Sequence, residues 1–339
     1  VGKLDPRHGR SLMSPFWKPL LHLLLATLIV APAAAQVTSP FPARRIEVIV
    51  SGNPGGGIDT TARALERALT EGKLIEQPLV MNNMSGAAGD VAKAYMTQKK
   101  GDPYFLYVES NRIYQNKLLG TTQIGIDEVT PLARLLTEYL VWAVLVDAPF
   151  RGAKDVLEKL KADPGSVPFG VGAMPSNDYF NIVRPARAYG ADYRKLRLAS
   201  FKSGGNLMIQ LLGGHVPVIA TSLSEAIEQV KAGKVRLLVS SAPNAVGGDL
   251  QGVPTWRDQG IDVQILHWRG LFAAPGIPRE AVAFWDDRMS RMVRTESWRK
   301  SMGHYGWYEA YADSATFKRE LEAERDVTGK LLRELGFAK

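Results

Sequence analysis

The sequence predicts an α/β protein with two mainly parallel sheets, each flanked by helices, in a molecule of two lobes. Short apolar strand patterns alternate with helical patterns along most of the chain, which is typical of parallel sheets covered by helices on both faces. The length of 339 residues suits two domains. Glycine-rich loops follow predicted strands in both halves of the chain.

The N-terminal segment has the features of an export signal. Lys18 precedes an apolar run over residues 20–30, which ends in Ala-Pro-Ala-Ala-Ala-Gln. We expect residues 1–35 to be a leader that is removed after Ala35, with translation starting at Met13 and the mature chain in the periplasm. The run is too short for a hydrocarbon core of about 30 Å, and no other segment has eighteen uninterrupted apolar residues, so we expect no membrane span in the mature chain. A retained signal anchor is the alternative.

A strand–loop–helix unit recurs in the first half of the chain. The β-branched residues over 45–50 predict a buried strand, and residues 58–70 form a helical pattern with one apolar face. The patterns that follow predict a strand at 78–82, a helix at 91–98, and strands at 104–108 and 141–146.

The second half repeats this unit, and the chain is mainly helical from residue 279. We expect the chain to cross between the sheets near residues 140–146 and 264–268. Lobe 1 then comprises residues 43–143 and 267–339, and lobe 2 residues 144–266. The predicted elements are helices at 155–161, 178–189 and 207–212, and strands at 167–171, 196–201, 216–221, 235–240 and 263–266.

Composition excludes several functional classes. The formal net charge is +8, but the basic residues are scattered and form no basic-aromatic stripe, so we expect no nucleic-acid partner. The chain has no cysteine, and its five histidines have no metal-ligand spacing, so we expect neither a metal site nor a cofactor. A nucleotide-dependent enzyme is a weak alternative, because the glycines of residues 52–57 are spaced G-x-x-G-G-G and not G-x-G-x-x-G.

Four loops predict a cleft for an anion. A helix N-terminus presents unpaired N–H groups and a partial positive charge, and glycine allows the backbone to approach a ligand closely. Such loops could hold a carboxylate without a cationic side chain if they converge from both lobes. They are residues 52–57, 85–89, 172–177 and 203–206.

Several motifs occur in one order from about residue 44 to the end of the chain. They include PGGGIDTT at 54–61, NMSGAAG at 83–89, KGDP at 100–103, the segment 201–216, VPTWRDQG at 253–260 and WRGLFAAPG at 268–276. Together they resemble the solute-binding proteins of tripartite tricarboxylate transporters, and the DTT and WRG variants are most similar to the citrate-type subgroup.

This resemblance implies a two-lobed periplasmic binding protein fold of the Venus-flytrap kind and no enzymatic activity. It also implies that the chain captures a citrate-like di- or tricarboxylate and delivers it to a two-component membrane permease. We expect a monomer. The same fold binding an aromatic or amino-acid carboxylate, or serving a sensor kinase, is the alternative. Three departures from the family pattern, at Tyr179, Lys202 and Ser222, concern the ligand more than the fold.

The candidate ligand contacts lie in or beside the four loops and the crossover. Capping roles are the alternative for Asp59, Ser176 and Asn206, while Lys202 would add a cation to the pocket. Arg112 could pair with a carboxylate or form a salt bridge. The predicted ligand-binding residues are Asn53, Gly55, Gly56, Asp59, Thr60, Gly86, Ser110, Ala173, Ser176, Lys202, Gly204, Gly205, Asn206, Ser222 and Arg269.

Overall fold

The computed structural model describes residues 41–174, 176–201, 204–265, 267–334 and 336–338. The predicted leader with its cleavage site, Lys202 and the end of the predicted strand at Leu266 lie outside the described residues.

The described residues form eleven strands and ten α-helices. The strands are β1 (Ile46–Val50), β2 (Leu79–Asn83), β3 (Phe105–Glu109), β4 (Thr130–Thr137), β5 (Leu140–Leu145), β6 (Phe169–Val171), β7 (Leu198–Ser200), β8 (Val218–Ser222), β9 (Val235–Ser240), β10 (Trp268–Ala273) and β11 (Tyr308–Ala312). The helices are α1 (Gly57–Glu71), α2 (Asp90–Thr97), α3 (Arg112–Leu118), α4 (Ala153–Ala162), α5 (Asn177–Ala188), α6 (Gly204–Leu212), α7 (Leu223–Lys231), α8 (Arg279–Met292), α9 (Glu296–Tyr305) and α10 (Ser314–Glu334).

The first sheet has the strand order β11-β4-β10-β3-β1-β2. Strand β1 pairs in parallel with β2 and β3, whereas β10 runs antiparallel to β3 and β4. Side chains of β1 and β3 are buried on both faces of this sheet, which explains their nearly continuous apolar sequence. Phe317 of α10 covers β10 and packs against Trp268 and Phe272, with ring centroids 5.1 Å and 5.4 Å apart.

The second sheet has the strand order β7-β6-β8-β5-β9. Strand β6 is parallel to β7 and β8, and β5 is antiparallel to β8 and β9. Trp142 packs edge-on against Phe169 and Trp256, with ring centroids 4.7 Å and 4.8 Å apart. These aromatic rings form the centre of a core separate from that of the first sheet.

The expected α/β fold with two helix-flanked sheets is confirmed, and both sheets are mixed. Only Glu138 and Tyr139 separate β4 of the first sheet from β5 of the second, and the chain returns to the first sheet at β10. A strand that arrives from the other sheet is not bound by the crossover geometry that makes βαβ strands parallel. This explains why β5 and β10 run antiparallel to their neighbours.

Several elements differ from those expected. Strand β4 was not predicted, since Arg134 interrupts its apolar residues, and α3 is too short to show helical periodicity. Elements α7 and β11 were also not predicted, and residues 263–265 form no strand. The lobe boundaries stay a prediction, although β5, which spans the expected boundary at residues 143–144, pairs with the second sheet.

No helix in the described part of the chain has both the length and the apolar character required to cross a membrane.

Two glycine-to-alanine substitutions, one under α10 and one in α9, should change the free energy of unfolding in opposite directions. In Gly270→Ala the new Cβ would lie 2.6 Å from the Phe317 ring, so we expect the free energy of unfolding to fall by about 1–3 kcal/mol. Gly303→Ala in α9 meets no atom within 4 Å and should raise it by about 0.5–1 kcal/mol, because alanine is the better helix former. Urea denaturation measures both, and equal effects would show that the packing argument is wrong.

Candidate functional site

A cavity of about 100 Å³ lies where strand-to-helix junctions of the two sheets face one another. It is smaller than the ~300–1,000 Å³ pockets of drug-sized ligands. The first sheet contributes the junctions β1–α1 and β3–α3, and the second contributes β6–α5, β7–α6 and β8–α7. The lining residues are Gly52, Asn53, Gly56, Gly57, Ile58, Ser110, Arg112, Gly172, Ala173, Ser176, Asn177, Asp178, Gly204, Ser222, Glu225, His267 and Arg269.

The structure brings many of the predicted site residues together at this cavity. Those that line it are Asn53, Gly56, Ser110, Ala173, Ser176, Gly204, Ser222 and Arg269. Those that do not are Gly55, Asp59, Thr60, Gly86, Gly205 and Asn206. Arg112, for which a carboxylate contact and a salt bridge were both left open, also lines the cavity, and the lining residues that the sequence did not indicate as ligand contacts include Asp178, Glu225 and His267.

Asp59 orders the first loop from behind the cavity. Its buried carboxylate accepts hydrogen bonds from Gly55 N and Asn83 Nδ2, both at 2.9 Å, and from Arg63 Nε at 2.8 Å. Asn83 also donates to the carbonyl of Gly52 at 2.9 Å. These contacts agree with the alternative of a capping role for Asp59, since they hold the loop in place at the start of α1.

The second glycine loop supports the site and does not line it. Gly89 has a φ of +96°, and a Cβ at this position would lie 2.6 Å from Glu109 Oε2. Only glycine fits this conformation and this close approach. The loop therefore packs against the buried carboxylate of Glu109, at the end of β3, and Gly86 lies outside the cavity lining.

Arg112 reaches the cavity from the start of α3 with its charge already paired. Its Nη2 lies 3.0 Å from Oε1 of Glu109, which is fully buried. Burial alone would raise the pKa of Glu109, but Arg112 and the Tyr107 hydroxyl, which donates to Oε2 at 2.7 Å, hold that pKa below its usual value. The carboxylate therefore stays ionised and neutralises the guanidinium.

Arg269 is the second cavity-lining arginine, and it is also paired. It contacts Glu138, and the two side chains are only 4% and 1% exposed. Ser224 Oγ of α7 donates to Glu138 Oε2 at 2.6 Å, so the pair connects β10 and the crossover at residue 138 with the second sheet. Among the described residues, Arg269 Nε has no hydrogen-bond acceptor.

Gly57 is required because the Arg269 guanidinium lies against the start of α1. A Cβ on Gly57 would lie 2.6 Å from Arg269 Nη2. The glycine thus serves the packing of an arginine across the site, in addition to any role in approaching a ligand.

His267 is a neutral member of the cavity lining. Its Nε2 lies 2.6 Å from Arg269 Nη1, and its Nδ1 lies 2.9 Å from Asn177 Nδ2. Burial, followed by the charges of Arg269 and Arg112, holds the pKa of His267 well below its usual value. The imidazole therefore adds no positive charge. Its place directly before the WRG motif was the only sequence signal for it.

Glu225 places a carboxylate at the N-termini of two helices. Its Oε1 accepts a hydrogen bond from Gly57 N of α1 at 3.0 Å, and its Oε2 accepts one from Thr221 Oγ1 at 2.5 Å. A Cβ on Gly204, the first residue of α6, would lie 2.0 Å from Glu225 Cδ, so the carboxyl group packs on that backbone. The two helices flank different sheets.

Asp178 is a further acidic residue in the lining, in the first turn of α5. Burial, then the neighbouring charge of Glu225, raises the pKa of Asp178 to about 8, and Arg269 and Arg112 only partly oppose this rise. Acidic residues are frequent in first helical turns because they complement the helix dipole, so the sequence offered no reason to place Asp178 or Glu225 in a ligand cavity.

In the described part of the chain, no group of His, Asp or Glu side chains is arranged to hold a metal ion. Two guanidiniums, one neutral imidazole and several backbone amides face this small cavity, so the site can bind a ligand.

A protein-family model matches most of the chain. The model described as "Tripartite tricarboxylate transporter family receptor" matches residues 62–337. A curated relative, the "UPF0065 protein in gbd 5'region" of Cupriavidus necator, is 26% identical over 315 residues, which is 92% of this chain and 93% of the relative.

Solved structures show the same fold. A TctC solute-binding protein from Polaromonas, solved without ligand, superposes with a TM-score of 0.65 and 26% identity, over 87% of this chain and 99% of that protein. MatC from Rhodopseudomonas palustris with bound malate superposes with a TM-score of 0.75 and 21% identity, over 86% of this chain and all of that protein (100%).

The raised pKa of Asp178 predicts a pH-dependent effect of Asp178→Asn. The folded state keeps a proton that the unfolded chain releases between about pH 4 and pH 8, so the stability contributed by this group falls as pH rises through that window. We expect the variant to become more stable relative to wild type as pH rises from 4 to 8, by at least about 1.4 kcal/mol, the equivalent of one pKa unit. Urea denaturation across this range measures the difference, with Asp147→Asn as the exposed control. A difference that is constant with pH would contradict the assignment.

The buried ion pair of Arg269 and Glu138 predicts that the single substitution of Glu138 lowers the free energy of unfolding more than the substitution of both residues does. Glu138→Gln leaves the Arg269 guanidinium buried without a counter-ion, which should lower the free energy of unfolding by about 3–5 kcal/mol. Adding Arg269→Gln removes that uncompensated charge, so the double variant should recover part of the loss. A double-mutant cycle by urea denaturation tests this, and additive losses would show that the two side chains act independently.

Proposed function

Because this chain belongs to the tripartite tricarboxylate transporter receptor family, we propose that it captures a small carboxylate in the cavity between its two sheets and delivers it to a membrane permease. It is a solute-binding receptor and not an enzyme. The observation that carries the proposal is the convergence of five strand-to-helix junctions, drawn from both sheets, on one cavity.

The chemistry of the cavity favours a carboxylate. Arg112 and Arg269 both reach it, and the N-termini of α1, α5 and α6 all contribute lining residues. Guanidiniums and helix N-termini are the groups that bind carboxylates most strongly, through charge-assisted hydrogen bonds of about 1.5–3 kcal/mol each. Four or five such bonds, less the cost of ordering, support a dissociation constant near 1 μM.

The cavity is better suited to a ligand of low negative charge than to a trianion. The structural relative MatC has bound malate, a dicarboxylate. In this chain, however, Asp178 and Glu225 line the cavity beside the two paired arginines. Citrate, the ligand expected from the resemblance, would bring three more carboxylates to these groups. A mono- or dicarboxylate is therefore the better candidate.

Two alternatives rank lower. No Phe, Tyr or Trp is among the described lining residues, which argues against stacking of an aromatic carboxylate. A receptor that serves a sensor kinase would bind its ligand in the same cavity as one that serves a permease. Family membership favours the permease as the partner. Export to the periplasm by the predicted leader, with cleavage after Ala35, and a monomeric state complete the proposal.

Ligand binding should raise the thermal stability of the purified receptor. A ligand that binds only the folded state stabilises it by about 2.7 kcal/mol at 100 times its dissociation constant. We expect at least one acid in a panel of acetate, lactate, succinate, malate, citrate and small amino acids to raise the melting temperature. Succinamide, which has the size of succinate without its charges, is the control. Failure of every carboxylate, or an equal shift with succinamide, would refute carboxylate capture.

A further inference from the structure

We propose that Glu225 permanently fills one anion subsite of the cavity and, together with Asp178, makes the receptor selective for a small carboxylate that also carries an ammonium group. This inference rests on the proposed function, because it names the class of carboxylate that the same cavity accepts.

The first step of the argument is the place that Glu225 occupies. Its carboxylate accepts the amide hydrogen of Gly57 at the start of α1 and packs on Gly204 at the start of α6. These are two of the helix N-termini expected to hold a ligand carboxylate. A second ligand carboxylate at this position would meet the charge of Glu225 instead of free amide hydrogens.

The second step is the charge balance of the cavity. Each lining arginine has its own buried carboxylate: Glu109 for Arg112, and Glu138 for Arg269. His267 is neutral. Asp178 and Glu225 therefore remain, and in the described part of the chain neither of them forms an ion pair with a cation. Burial, and then the charge of Glu225, raise the pKa of Asp178 to about 8, so at neutral pH Asp178 is mainly protonated and Glu225 supplies the negative charge.

The third step is that Arg269, which lines the cavity, has a hydrogen-bond donor without an acceptor in the described part of the chain. Arg269 Nε is deeply buried and has no acceptor among the described residues. Such an orphaned charged donor is costly unless a ligand supplies an acceptor. One carboxylate at this arginine and one ammonium beside Asp178 and Glu225 would satisfy both sides of the cavity, and a volume of about 100 Å³ limits the ligand to a few non-hydrogen atoms.

Isothermal titration calorimetry on the purified receptor tests the proposal with matched ligand pairs. In each pair a carboxylate replaces the ammonium: glycine with malonate, alanine with methylmalonate, β-alanine with succinate, and 4-aminobutanoate with glutarate. Malate and citrate complete the panel. We expect the best-binding aminocarboxylate to bind at least tenfold more tightly than its dicarboxylate partner and than citrate.

Two variants assign the selectivity to the acidic side chains. Glu225→Gln should weaken the best aminocarboxylate at least fivefold and tighten its dicarboxylate partner, because it removes the negative charge. Asp178→Asn should weaken the aminocarboxylate and leave the dicarboxylate nearly unchanged, because the carboxyl group of Asp178 keeps its proton up to about pH 8. A folding defect would weaken both ligands, so the unequal effects on the two ligands are diagnostic. Glu228→Gln is the matched control, because Glu228 lies on the same helix with its side chain 58% exposed, and it should change neither affinity.

The outcomes separate this inference from the function on which it rests. If no carboxylate binds, the proposed function fails. If a dicarboxylate or citrate binds more tightly than every aminocarboxylate, the receptor function stands and this inference is overturned. The second result is also expected if Lys202, which lies outside the described residues, supplies the positive charge. Equal effects of Glu225→Gln on both members of a pair would likewise overturn it.

Discussion

The rest of the site depends on the buried contact between Arg269 and Glu138. Arg269 comes from β10 of the first sheet, Glu138 from the crossover between the sheets, and Ser224 of α7, the helix that follows β8 of the second sheet, donates to the same carboxylate. Removing two charges from water costs several kcal/mol per ion, so such a pair is maintained only with good geometry and further hydrogen bonds. It ties the sheets together at the point where their strand-to-helix junctions face each other.

This pairing determines what the remaining groups can do. A guanidinium that is already neutralised orients a ligand carboxylate by hydrogen bonds but supplies little net attraction. The same holds for Arg112, which is held by the fully buried Glu109 and by the loop that carries Gly89. Specificity in this cavity must therefore come from the unpaired carboxyl groups and the backbone amides more than from the number of arginines in the lining.

Sequence reasoning identified the fold and about half of the cavity, and the failures have physical causes. Loops at strand-to-helix junctions can be recognised because parallel strands bring their carboxyl ends to one edge of a sheet. Gly56, Ser110 and Ser176, which were predicted as ligand contacts in such loops, line the cavity. The second loop was expected to touch the ligand, yet Gly89 in this loop allows close packing on Glu109. The two residues in contact are 20 positions apart in the sequence and belong to different elements. Glycine content alone therefore cannot show whether a loop binds a ligand or packs on a neighbouring carboxylate.

The acidic residues were harder to predict because their ordinary role hides the unusual one. A glutamate in the first turn of α7 looks like a response to its own helix dipole, but Glu225 complements the N-termini of α1 and α6 instead. An anion site built from helix N-termini carries positive potential whether or not ligand is present. The carboxylate of Glu225 neutralises part of that positive potential when no ligand is bound. A ligand carboxylate that needs the same amide groups would have to compete with Glu225 for them. We therefore expect a ligand to bind more weakly when it carries more anionic groups. This property depends on the two sheets being placed together, because Glu225 and the N-terminus of α1 come from different sheets' junctions.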